Sequence, residues 1–261
     1  MHPMLNIAIR AARRAGDQIV RQMDQVHGME IRAKGVNDFV TEVDRQAEQV
    51  IIDTLLRSYP DHAILAEESG ARGESDHIWI IDPLDGTTNF LHGYPQFAVS
   101  IALQIKGRLE QAVVYDPLRQ DLFTATRGAG AHYNNQRMRV SKRPSLEGAL
   151  LGTGFPIRQT EQLDDYLQGF RALFPKTAGI RRAGAASLDL AHVARGWLDG
   201  FWEYHLQSWD IAAGVLLIQE AGGLVGDPSG GSEHMRTGAI AAGNPKIFKE
   251  LVKSLAHSSV P

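Results

Sequence analysis

Residues 79–90, WIIDPLDGTTNF, set two aspartates three residues apart around a proline, at the mouth of an apolar run. Ile78, Trp79, Ile80 and Ile81 fit a buried strand, and proline has no N–H to give a ladder, so Asp82 is expected at the strand's exit. Gly86 permits a tight turn, and Thr87, Thr88 and Asn89 suit the start of a helix. A helix N-terminus offers unpaired N–H groups and a partial positive charge, which together make a phosphate site. Asp82 and Asp85 would repel that anion unless divalent cations lie between them. Hard oxygen ligands select Mg2+ or Mn2+, and a two-ion site needs further acids.

Three segments could supply them. Glu67 and Glu68, in AILAEES, follow another short apolar run that could end beside Asp82. Asp210, in SWDIAAG, opens a later helix, and Asp44, in TEVD, lies near the start of an earlier one, within reach of a threonine such as Thr87. Each has a plainer reading: Thr41-x-x-Asp44 as a capping box with Asp for Glu, Asp210 as a helix cap, and Glu67-Glu68 as a solvated loop. DPLDG could be an ordinary turn, although an apolar strand feeding two acids and two threonines is an uncommon one.

Absent motifs narrow the chemistry. There is no GxSxG, GxxxxGK[ST] or HExxH, and neither GAG at 128–130 nor GTG at 152–154 extends to GxGxxG. The histidines are scattered without ligand spacing. Phosphatases that form an aspartyl phosphate at DxDGT need nucleophile and acid two residues apart. The wider spacing here argues against covalent catalysis and for attack by a metal-activated water.

Outward from this segment, apolar positions recur at helical spacing over 4–23 and 41–58. From Phe97 the period shortens, and FAVSIALQI, LEQAVVY, DLFTATR and AHYNNQRMRVS, separated by turns, describe an antiparallel meander. Beyond about residue 145 short strands alternate with helices over 161–174, 187–196, 210–221 and 245–256. The expectation is mixed α/β in two lobes, 1–145 and 146–261, the first carrying most of the acids and the second Asp210. A chain of 261 residues, 43% hydrophobic, can bury a sizeable core.

With 27 basic and 30 acidic residues the formal charge is −3, so no global field favours nucleic acid or an anionic membrane, and no direct nucleic-acid binding is expected. The absence of cysteine excludes disulfides, thiolate zinc sites and thiol nucleophiles. Arg10, Arg13, Arg14 and Asp17 make the N-terminus an amphipathic helix rather than a signal peptide, and no run approaches the roughly 18 apolar residues of a membrane span. A cytoplasmic protein is expected.

TEVD, EES, WIIDPLDGTTNF and SWDIAAGVLLIQEAGG, in that order, resemble the motifs of the inositol monophosphatase family of Mg2+-dependent phosphatases. The resemblance runs from Lys34 to Gly243 and is nearest to the family's bacterial members. It implies a layered αβαβα sugar-phosphatase fold with the site between two lobes. By position, Glu67, Asp82 and the main-chain carbonyl of Leu84 would hold one metal, Asp82, Asp85 and Asp210 a second, and Glu67 would touch a weaker third. Thr87, supported by Asp44, would with Glu67 orient and deprotonate the attacking water. The N–H groups of Gly86 and Thr87 would grip the phosphate, while Asp85, Gly184, Ala186, Glu203 and Asp210 would face the sugar or inositol hydroxyls.

Against the animal enzymes the chain departs in two places, a loop around Lys34 to Asp38 shorter by a residue and Gln207 in place of a histidine. The resemblance also implies lithium inhibition and a homodimer. It implies three functions: hydrolysis of inositol 1-phosphate and related small polyol phosphates; a fructose 1,6-bisphosphatase or nucleotide 3′-phosphatase activity of the same superfamily; or transcription antitermination on ribosomal RNA operons with RNA polymerase and Nus factors. Arg10, Arg13 and Arg14, or Arg181 and Arg182, could contribute a surface to the last.

Overall fold

The computed structural model describes residues 2–23, 31–35, 38–157 and 159–256, with backbone alone at 31–35 and 38–41. In chain order it runs α1 (Pro3–Gln22), β1 (Ile31–Gly35), β2 (Asp38–Thr41), α2 (Glu42–Ser58), β3 (Ala63–Ala66), β4 (Gly70–Arg72), β5 (His77–Asp85) and α3 (Thr87–Leu91). Then come β6 (Ala98–Ile105), β7 (Arg108–Asp116), β8 (Asp121–Thr126), β9 (Gly130–Tyr133), β10 (Gln136–Arg137) and β11 (Leu150–Thr153). The remainder is α4 (Leu163–Leu173), β12 (Gly179–Arg181), α5 (Ala186–Arg195), β13 (Gly200–Glu203), α6 (Ser208–Glu220), β14 (Leu224–Gly226), α7 (His234–Thr237), β15 (Ile240–Gly243) and α8 (Pro245–Leu255).

β3 to β10 form an eight-stranded sheet in the order β10-β9-β8-β7-β6-β5-β3-β4, and β12-β11-β13-β15-β14 a second, five-stranded one. The meander from β6 to β10 is antiparallel throughout. Alternation along the strands sorts side chains into three cores. Trp79, Ile81, Val99 and Ile101 pack under α1 and α2. Ile80, Ala98 and Ala102 meet α5 and α6, which also cover Phe201, Ile240 and Ala242 of the second sheet. Leu151, Trp202 and Ala241 face α4 and α8. The layers therefore stack αβαβα, as the resemblance implies, and burying a side chain such as Phe201 in the middle layer stabilises by roughly 1.5–3 kcal/mol.

Small residues let α1 lie close to the sheet: Ala8, Ala11, Ala12 and Ala15 are buried, and a Cβ on Gly16 would sit 2.8 Å from Tyr115 Cε1. The GAG turn has its own partner, since Glu220 of α6 accepts the N–H groups of Gly128 and Gly130 at 2.8 Å each. No helix among the described residues is long and apolar enough to cross a membrane. The sequence reading passes over the β1–β2 hairpin, β4 and the single turn α7. The tip of the Lys34 to Asp38 loop and its side chains, with that of Thr41, lie outside the described residues.

One expectation is corrected. β5 does not end at Asp82: Pro83 and Leu84 are buried within it, and pairing with β6 resumes at Asp85. Proline is tolerated there because it falls in a bulge, where no ladder bond needs its N–H.

Candidate active site

Asp82 pairs with Ser100 and Asp85 with Ala98, so three steps on β5 match two on β6. In a regular strand, residues three apart point to opposite faces; the extra residue puts both aspartates on one. That face is the one Ile80, Ala98 and Ala102 turn toward α5 and α6. The Leu84 N–H donates to Asp82 Oδ1 at 2.9 Å. Gly86 then turns the chain with φ of +95°, and a Cβ there would stand 2.9 Å from Gln96 O, so glycine alone fits.

Thr87 opens α3, with its hydroxyl 2.9 Å from Asp44 Oδ1 and 3.1 Å from the Leu84 carbonyl. Asp44 comes from α2 and is fully buried. The hydroxyl has one proton to give to these two acceptors, which leaves its oxygen able to accept from a water. β3 runs parallel to β5 and ends with Ala66 opposite Ile81, and the Glu67 N–H donates to Ile81 O at 3.1 Å. Glu67 thus reaches the sheet end that carries Asp82. Glu68 does not line the cleft; its N–H and that of Ser69 donate to the carboxylate of Glu48, at 2.8 and 2.9 Å.

Asp210 is the third residue of α6, and its Oδ2 accepts the Gln207 N–H at 2.6 Å. It is the N3 acid of a capping box whose N-cap is Gln207, rather than the cap itself, and it faces the cleft as well. Of the residues assigned to metal, water or substrate, all but Asp44 line one cleft of about 450 Å3, and Asp44 stands behind Thr87. Glu203 enters from the end of β13. Its carboxyl occupies the space a side chain at Gly154 would fill, 1.7 Å from the position of a Cβ.

Several contributors escape sequence reasoning. Ser187 of α5 gives Asp85 its N–H and its hydroxyl. The Asn89 amide donates to Gln96 O and Ala183 O at 2.7 and 2.9 Å, tying α3 to the segment before α5. Asp189 lies buried beneath the cleft. Arg182, grouped with Arg181 as surface by sequence, lines the cleft with its guanidinium 5.6 Å from the Phe155 ring centroid. None carries a local signature, because each acts across a contact between segments far apart in sequence.

Charge is lopsided. Among the described residues, five cleft-lining side chains are acids, Glu67, Asp82, Asp85, Glu203 and Asp210, against one permanent cation, Arg182. Burial, then repulsion from Glu67, Asp85 and Asp210, lifts Asp82 well above the carboxylate range. Burial raises Asp85 to about 6 against the opposing bonds from Ser187, with Glu67 adding to the rise. Glu203 is pushed up by burial and by Asp189 and Asp210, with Arg182 opposing. Among the described residues no three of these groups converge into a closed ligand shell. Acids that repel one another, three of them turned to backbone N–H donors, have that geometry. The donor set fits a hard divalent cation, which would relieve the repulsion and bind oxygen.

Comparison with known proteins follows the same line. Residues 1–260 match the inositol monophosphatase family. A Pseudomonas aeruginosa protein named Nus factor SuhB is 59% identical over 261 residues, covering 98% of this chain and 96% of that protein. The structure of extragenic suppressor protein suhB from Bartonella henselae superposes with a TM-score of 0.96 at 44% identity, over 99% of this chain and 100% of that one. An inositol monophosphatase from Anabaena (Nostoc) sp. PCC 7120 does so at 0.88 and 39% identity, over 97% and 95%.

Proposed function

Because the chain belongs to the inositol monophosphatase family, a phosphatase family that is in general metal-dependent, we propose that it hydrolyses inositol 1-phosphate and related small polyol phosphates with Mg2+. The observation that carries this is the bulge that sets Asp82 and Asp85 on one face, beside Glu67 and Asp210 and next to the Thr87–Asp44 pair. Glu67, Asp82, Asp85, Asp210 and the Leu84 carbonyl would hold the ions. When bound, these supply Lewis acidity that activates water and neutralises phosphate charge.

The chain's own groups do the rest. Thr87 keeps its proton on Asp44 and turns its oxygen lone pairs to the attacking water. Glu67 takes the proton that water releases. The N–H groups of Gly86 and Thr87, at the first turn of α3, hold the phosphate oxygens. Glu203, with Gly184 and Ala186 across the cleft, receives the polyol hydroxyls. By analogy with the family, the working unit is a cytoplasmic homodimer inhibited by lithium. Phosphate release from inositol 1-phosphate, with and without Mg2+, tests the reading: turnover that requires Mg2+ and is lost in Asp82→Asn supports it, and metal-independent turnover defeats it.

A second reading rests on the relative named Nus factor SuhB, namely an accessory role in transcription antitermination with RNA polymerase and Nus factors. Arg10, Arg13 and Arg14 are exposed on α1 and would form part of that surface. Retained capture of polymerase by a hydrolysis-dead variant would separate this role from the chemistry.

A further inference from the structure

His205 is a non-glycine residue in the left-handed region, with φ of +61°. A side chain in that conformation strains its backbone, so its retention calls for a contact that only the side chain makes. The contact is with Gln162, whose Oε1 meets His205 Nε2. Gln162 in turn passes its amide Nε2 to Gln159 Oε1 at 2.8 Å. Because the nitrogen of Gln162 is the donor in that second bond, its oxygen faces the imidazole, an arrangement that assigns the His205 proton to Nε2. Burial holds the imidazole below its usual pKa, against the pull of Glu161, so the neutral tautomer is the working form.

The chain of bonds ends at the cleft, which Gln159 and His205 both line. With its oxygen turned to Gln162, Gln159 points its amide hydrogens the other way, and among the described residues no other group takes them. Glu203, on the wall with His205, is an acceptor when ionised. A cleft with an acceptor on one side and a fixed donor on the other suits neighbouring hydroxyls, which both give and receive hydrogen bonds. The same acids disfavour a second anionic group there.

We propose that Gln159 is a specificity-determining residue that donates to a hydroxyl oxygen of the leaving polyol, and that His205 and Gln162 are positioning residues that hold its amide in that sense. This inference rests on the phosphatase reading and deepens it.

The test compares kcat/KM for inositol 1-phosphate with that for ethyl phosphate, which has no hydroxyl on its leaving group. Gln159→Leu is expected to lower the ratio about tenfold, the loss of one hydrogen bond made only by the polyol. His205→Asn keeps a residue tolerant of left-handed backbone but removes the imidazole, and most of the same loss is expected, chiefly in KM. In the double variant the two losses should not multiply, since both act through one donor. A ratio unmoved by Gln159→Leu, or losses that multiply independently, overturns the inference while leaving the phosphatase reading intact. If the wild type hydrolyses neither phosphate, that reading fails, and the same ratio is taken from calorimetric Kd values for the two compounds. An unchanged ratio there, or no binding, overturns the inference too.

Discussion

Ser187 reaches Asp85 twice, its backbone N–H at 2.7 Å and its hydroxyl at 2.5 Å, both to Oδ2. One oxygen of an acid on β5 is thereby tethered to the first turn of α5, so the second sheet's neighbour sets the orientation of a first-sheet carboxylate. Ser187→Ala removes a charge-assisted bond that holds the pKa of Asp85 down. Calorimetric Mg2+ affinity at pH 7 should weaken about tenfold, as for other groups that orient a ligand.

The charge on Asp85 costs stability while no cation is bound. Its pKa is raised from 3.8 to about 6, so the native state binds the proton more tightly than the unfolded state. Stability therefore falls as pH rises between those values and stays lower above them. Asp85→Asn keeps an acceptor for Ser187 and discards the charge. Without metal at pH 7 it should melt higher than wild type, by an amount on the order of 2 kcal/mol, while losing Mg2+-dependent turnover. A melt unchanged or lowered would contradict this account.

At the pair proposed to activate water, Thr87→Ser retains the hydroxyl that donates to Asp44, whereas Thr87→Ala deletes it. Steady-state kinetics should show kcat reduced by roughly 10²–10⁴ in the alanine variant and far less in the serine variant, with KM changing little in either. Equal losses in both would mean that the methyl group or the packing of α3 matters rather than the hydroxyl.

Gly154→Ala places a methyl where the Glu203 carboxyl lies. Since that carboxyl is the end of a flexible side chain, it can swing aside, and thermal stability should change by less than about 1 kcal/mol. In the proposed reading the displaced acid no longer meets the leaving group, so KM for a polyol phosphate should rise several-fold. A large loss of stability would show that the carboxyl is fixed in place.

His192, packed against Phe123 and Trp197, is lowered from 6.5 to about 4, by burial first and Arg119 second, with Asp116 and Asp121 opposing. The native state then binds the proton less tightly than the unfolded state. Its contribution is complete above pH 6.5 and is lost as pH falls toward 4, a drop on the order of 3 kcal/mol. His192→Gln should flatten that part of the stability curve in denaturant titrations across the range.

Legibility in the sequence followed the range over which each feature is encoded. The meander, the late helices and the acids at strand and helix ends are written in periods and turn residues within a dozen positions. Asp82, Asp85 and Glu67 stand out as candidates because an apolar run points at each. Ser187, Glu48 and Arg182 do not, since their roles depend on α5, α2 and the segment before α5 arriving at particular places. The strand end was misread at Pro83 for a related reason: proline forbids a regular ladder, and whether the chain stops or bulges is decided by the partner strand.

That bulge makes residue number, not only residue type, a constraint on how the protein can diverge. Substitutions between Asp82 and Asp85 exchange one shape for another. A single deletion there would remove the bulge: the two aspartates, then two apart, would still share a face, but the extra residue on which the strand's bend rests would be gone. Drift in this segment can alter letters but not spacing, so its length should be the slower of the two to change.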